Sequence, residues 1–138
     1  MAIALDPSKS GVDIGIVVSD SAAALAFYRD TLGLEHVMDM PMPVGGGGTM
    51  HRLSCGGSTL KLVCWNRTPE GANPPGGLHT ATGLRYITLW ITNLDDAAAA
   101  CAAAGYRVPA PPAQIRPGVR IAMVEDPDGT WVELLEQS

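Results

Sequence analysis

Few residues in this chain have the type and spacing of a self-contained catalytic motif. It holds three histidines, three cysteines and three tryptophans. His51 and Arg52 are neighbours in a run, Thr49–Cys55, that reads as a strand. Adjacent strand residues point to opposite faces, so one of the two must face any site this sheet lines. His51 there could serve acid–base chemistry, and both are candidates for substrate contact. His36 and His79 fall near loops or strand ends and read as solvent-facing. Cys55, Cys64 and Cys101 have no paired spacing, and Cys55 and Cys64 have no evident base partner, so no thiol nucleophile is expected. They read as small residues of a reducing, cytoplasmic protein. No local motif names a reaction, so any chemistry must come from residues that the fold brings together.

The elements that would do this follow one grammar, used twice. Val12–Val18 is a β-branched run that reads as a strand. Asp20 or Ser21 is placed to cap a following helix, and Gly33 to end it. Leu84–Asn93, then Leu94–Gly105, repeats the pattern, with Asn93 as cap and Asp95 and Asp96 in the favourable first turn. Asp13 thereby corresponds to Tyr86. Gly57-Ser-Thr-Leu-Lys-Leu-Val63 corresponds to Gly129-Thr-Trp-Val-Glu-Leu-Leu135. Two copies are too few for a solenoid. They predict one domain over 11–136: module one over about 11–65, a Pro/Gly-rich linker over about 66–83, and module two over about 84–136. Leu34–Met40, Thr49–Cys55 and Thr59–Trp65 complete the strands of the first module. Val119–Glu125 and Trp131–Leu135 belong to the second, and Val108–Pro117 is too proline-rich for a central strand. Ile14, Ile16 and Val18 should pack on the first helix, and Ile87, Leu89 and Ile91 on the second.

The motifs now resemble a known family. Phe27-Tyr-Arg-Asp-Thr-Leu-Gly-Leu34 is similar to the opening of the vicinal oxygen chelate superfamily. Glu125-Asp-Pro-Asp-Gly129 with Trp131-Val-Glu-Leu-Leu135 is similar to its close. That superfamily includes glyoxalase I, extradiol dioxygenases and bleomycin resistance proteins. The resemblance implies an α+β fold of two βαβββ modules, whose curved mixed sheets surround a shared cleft. It does not imply one reaction, because the fold hosts many.

Metal-binding members take two ligands from each module, usually His, Glu or Gln, His and Glu. The resemblance places those positions at Asp13, Lys61, Tyr86 and Glu133. Only Glu133 keeps a usual ligand type. A charged lysine has three donors and no lone pair, so Lys61 cannot hold a cation. No metal and no cofactor are therefore expected. Asp13 and Glu133 become candidates for proton transfer, with Lys61 and Tyr86 stabilising developing charge. Trp90 and Thr88 share strand parity with Tyr86, and Trp131 shares it with Glu133, so all three are expected to line the cleft. Trp65 is a candidate at its rim. The expected function is a metal-independent enzyme, an isomerase, epimerase, lyase or cyclase, acting on a small carbonyl-bearing molecule. The alternative is a non-catalytic binding protein of the drug-sequestering kind, in which Asp13 and Lys61 merely pair.

Composition sets the outer bounds. The 138 residues carry a net charge of −5 and are 46% hydrophobic. That length suffices for a core, and no Lys/Arg cluster invites nucleic acid or an anionic membrane. No apolar run is long enough to span a bilayer. A small-molecule ligand is the expected partner, together with a second copy of the chain, because open sheets leave edges that need cover.

Overall fold

The computed structural model describes residues 3–138. Eight strands form two four-stranded mixed sheets. The first comprises β1 (Asp13–Val17), β2 (Glu35–Pro41), β3 (Gly48–Cys55) and β4 (Ser58–Trp65), in the order β1-β4-β3-β2. The second comprises β5 (Tyr86–Ile91), β6 (Ala110–Arg116), β7 (Val119–Glu125) and β8 (Trp131–Gln137), in the order β5-β8-β7-β6. Each sheet therefore sets its first strand parallel to its last, with the crossover helix on one face. The proline-rich segment forms β6, an edge strand, where a missing N–H costs no ladder bond.

The helices differ from the simple expectation. Asp20 caps α1 (Ser21–Leu25) by accepting from the Ala23 amide at 3.2 Å. The chain then widens into a π-helix over Ala26–Thr31, where Thr31 Oγ1 donates to the Ala26 carbonyl. Its buried residues are Phe27 and Tyr28. In α2 (Leu94–Ala103), Asn93 makes no side-chain cap. The Glu136 carboxylate accepts from the Leu94 amide instead, at 3.0 Å. A cap from another strand satisfies the orphan donor as well as a local one and also ties α2 to β8.

One core joins both modules. Ile16, Val18, Leu60 and Leu62 from the first module meet Leu89, Val132 and Leu134 from the second around Phe27, Tyr28 and Leu94. Phe27 packs edge-on against both Tyr28 and Tyr106. The alternation expected for β1 and β5 is thus observed, with Ile16 and Leu89 inward. Two polar links fasten the modules. The buried Tyr28 hydroxyl donates to Asp126 Oδ2 at 2.7 Å. Ser19 donates through both its amide and its hydroxyl to Asp128. The residues that carried the family resemblance, Tyr28 and the Asp126-Pro-Asp-Gly turn, are therefore inter-module fasteners.

Candidate functional site

The helix-free faces of the two sheets carry the polar candidates. Alternation along β1 and β4 sends Asp13 and Lys61 to this face, and register seats Lys61 between Gly15 on β1 and Arg52 on β3. Gly15 leaves open space where a side chain would stand. Lys61 reaches diagonally to Asp13, with Nζ 3.3 Å from Oδ2. Lys9, from the lead-in segment, donates to Oδ1 of the same carboxylate. Hydrogen bonds from Lys9 and then Lys61 hold the Asp13 carboxyl below its ordinary range. In the second sheet, Thr88 pairs with Glu133 across β5 and β8. Its hydroxyl donates to Glu133 Oε1 at 2.9 Å. Thr88 is therefore the partner of Glu133. The four expected positions thus resolve into two separate local pairs, with Tyr86 half-exposed beside them.

A cavity of about 450 Å³ opens where the edges of β1 and β5 meet. Val12, Ile14 and Leu60 wall it from the first module, and Tyr86, Thr88 and Trp90 from the second. A smaller hollow continues along the same seam past Gly15, Val17 and Arg85. Of the four ligand-equivalent residues, only Tyr86 lines either space. Trp90 is 66% exposed, so its ring is available as a platform.

Other expected contacts fall elsewhere. His51 is buried, only 6% exposed, on the helix-facing side of β3. It bonds Asp39 and Ser21 there. Arg52 is the member of that pair on the helix-free face. The side of β3 that each takes follows from register, which a lone His-Arg dipeptide does not reveal. His36 keeps its side chain 21% exposed, and its Nε2 lies 2.6 Å from Asp39 Oδ1. The Trp131 indole N–H donates to Glu125 at 3.0 Å. A β-carbon added at Gly77 would strike the Trp131 ring at 2.4 Å, so the connector covers this indole. Arg85 pins that connector through the Gly77 and Pro74 carbonyls and the side chains of Asn73 and Thr80. Trp65 lines a second cavity of about 520 Å³, with Val17 and the 68–73 stretch of the connector. Sequence reasoning missed Arg85. Its position directly after a Gly-rich connector was the available signal.

The metal positions of the resembled family do not fit a cation here. Lys61 brings an ammonium to one, and Asp13 is already committed to two ammonium groups. Tyr86 offers only a phenol.

Two similar modules packed around an inter-module cavity define the architecture. Residues 12–134 match the Glyoxalase/Bleomycin resistance protein/Dioxygenase superfamily, and the chain belongs to it. Its fold is similar to a glyoxalase family protein from Bacillus cereus, with a TM-score of 0.81 at 16% identity over 99% of both chains. A superfamily member from Sphaerobacter thermophilus gives 0.64 at 26% identity, over 91% of this chain and 94% of that one. TnmS3, an antibiotic binding protein from Streptomyces sp. CB03234, gives 0.69 at 24% identity, over 99% of this chain and 100% of that one. No curated protein matches the sequence.

Proposed function

We propose that this protein is a metal-independent, non-catalytic binder of an apolar, ring-bearing small molecule. The observation that carries this reading is the 450 Å³ seam cavity walled by Val12, Ile14 and Leu60 against Tyr86 and Trp90. Apolar walls with a few polar groups at the margin suit ligand capture. The acid–base reading loses its first member. A general base needs a pKa near working pH, and two ammonium groups push Asp13 the other way. Thr88 and the Tyr86 phenol are the polar groups on the cavity wall, suited to an oxygen on the ligand, whereas Lys61 and Arg52 stand on the helix-free face outside that lining. The antibiotic-binding description of TnmS3 agrees with this reading in kind.

The same reading makes the working unit a homodimer. Trp90, Leu84, Tyr86 and Val17 are all exposed apolar residues on or beside the seam. A second copy over this face would cover them and close the cavity. No helix among the described residues is long and apolar enough to cross a membrane.

The test is a calorimetric screen against aromatic antibiotics, with mass spectrometry of the recovered ligand. Saturable binding with the ligand returned unchanged supports the proposal. Conversion of the ligand, abolished in Glu133→Gln, would restore the enzyme reading.

A further inference from the structure

A side-chain cluster on the opposite side of the first sheet has a different chemistry. His36 and Asp39 are three residues apart, which in a regular strand sends them to opposite faces. The register of β2 against β3 shifts between His36 and Met38. The inserted residue brings both side chains to the helix-facing side, where Asp39 pairs with His51. His36 Nε2 lies 2.6 Å and His51 Nδ1 2.7 Å from one oxygen, Asp39 Oδ1. The donor atoms of the three residues all lie within 4.8 Å of one another.

We propose that His36, Asp39 and His51 bind a zinc-class divalent ion through His36 Nε2, His51 Nδ1 and Asp39 Oδ1, with water completing a tetrahedron. Two imidazoles and a carboxylate are ordinary zinc donors, at bond lengths of about 2.0–2.2 Å. Those lengths place tetrahedral donor atoms about 3.3 Å apart. The two hydrogen-bonded pairs must therefore open by roughly 0.6 Å, starting from their present 2.6 and 2.7 Å. Asp39, with its side chain 52% exposed, has the freedom to make that shift and faces the water that would be the fourth ligand. His51 already has what a metal-bound imidazole needs on its other nitrogen. Its Nε2 is 2.8 Å from Ser21 Oγ, a hydroxyl that can donate to Nε2 while Asp39 accepts from Nδ1–H and can turn to accept the Nε2 proton once Nδ1 binds the metal.

Arg29 opposes the ion. Its Nη1 stands 3.3 Å from His36 Nδ1. Metal on Nε2 leaves a proton on Nδ1, so donor would meet donor. Arg29 must turn away, and its bond to Asp30 at 2.8 Å gives it another partner. The ion would clamp edge strand β2 to β3 and to the start of α1. It lies on the helix side, not at the ligand-equivalent positions around Lys61.

Metal-free protein titrated with zinc against a chromophoric chelator tests the site, alongside cobalt(II) absorption spectra. One equivalent should bind at micromolar concentration or tighter. Binding should weaken at least about tenfold in His36→Ala and in Asp39→Asn, whose folds circular dichroism checks. Arg29→Ala should bind more tightly, since it removes both a repelling charge and the competing donor. The cobalt spectrum should show d–d bands without the thiolate charge-transfer band that Cys55 or Cys64 would add. No saturable binding, equal affinity in wild type and both ligand variants, a thiolate band, or unchanged affinity in Arg29→Ala overturns the stated site.

Discussion

Tyr28→Phe removes one oxygen from the centre of the molecule and so measures the inter-module fastener alone. Tyr28 is fully buried, and its hydroxyl donates to Asp126 Oδ2 at 2.7 Å. The other carboxylate oxygen keeps its two backbone donors, the amides of Asp128 and Thr130, both at 2.9 Å. Phenylalanine retains the ring packing, so the loss is confined to a buried hydrogen bond to a carboxylate. Such bonds contribute about 1.5–3 kcal/mol. For a chain of this size that is a drop in melting temperature of about 5–10 °C. The effect should also depend on pH with a defined sign. Burial, the largest influence, raises the Asp126 carboxyl above its ordinary value of 3.8, against the opposing hydrogen bonds from Tyr28, Thr130 and Asp128. A raised folded-state pKa means protonation favours the fold. That contribution is complete below the unfolded value and is lost as pH rises through the folded one. Asp126→Asn keeps a neutral acceptor for the backbone amides and cannot titrate. The stability of wild type minus that of Asp126→Asn should therefore fall as pH rises through the range just above 3.8. Thermal melts of wild type, Tyr28→Phe and Asp126→Asn across pH 3–7 supply both numbers. A Tyr28→Phe loss under about 0.5 kcal/mol at neutral pH, or a difference curve that rises with pH, refutes the reasoning.

The remaining expectations concern the site and the surface. Trp90→Ala should weaken a bound aromatic ligand by about tenfold or more, since losing 1.4 kcal/mol of contact is enough for that; tryptophan quenching titrations read it. Chelator treatment should leave ligand affinity unchanged, because the ligand-equivalent positions carry the Lys61 ammonium and the Tyr86 phenol, and any dependence of ligand binding on added metal counts against this. The Asp95 carboxyl is held low chiefly by its hydrogen bond from Arg120, so its contribution is present above the ordinary value of 3.8 and lost as pH falls. Asp95→Asn should flatten the acid limb of the stability curve, measured by denaturant unfolding. Light scattering after size exclusion at micromolar concentration should give the mass of a dimer; monomer mass unchanged on concentrating opposes the proposed assembly.

Much of the architecture was legible because it rests on periodicity. The alternation of Ile14, Ile16 and Val18 and the second copy of that pattern at Ile87, Leu89 and Ile91 place the core face directly. What escaped depends on single-residue irregularities that leave no pattern. One shift in β2 carries His36 and Asp39 to the same side. One register choice in β3 buries His51 and turns Arg52 out. The π-helical turn over Ala26–Thr31 is likewise invisible in Ala-Phe-Tyr-Arg-Asp-Thr. The Asn93 expectation failed because Glu136, distant in sequence, reached the α2 amide first. The connector was readable as a loop, but not its attachment, which hangs on the guanidinium of Arg85.

The duplication explains why the cleft is lopsided. Positions equivalent in the two modules have diverged in charge and in bulk. Lys61 answers Glu133, Asp13 answers Tyr86, Gly15 answers Thr88, Val17 answers Trp90, and Thr59 answers Trp131. Module one thus presents the cations and the gap left by Gly15. Module two presents the aromatic residues and a carboxylate already satisfied by Thr88. A metal site needs both modules to offer lone pairs to one point, and this pair of faces does not. A ligand with an apolar ring system at one end and oxygens at the other meets the two faces in a single orientation. On the proposed reading the ring system gains area on Tyr86 and Trp90, while Lys61 and Arg52 lie outside the cavity lining. In such a cleft the polar groups select the pose more than they supply affinity, because exposed charges contribute little against water. Replacing Lys61 by methionine should therefore cost less binding than Trp90→Ala. Affinities for matched ligand pairs, with and without an anionic end, distinguish this from a cleft held together by its charges. Equal losses in the two variants would contradict it.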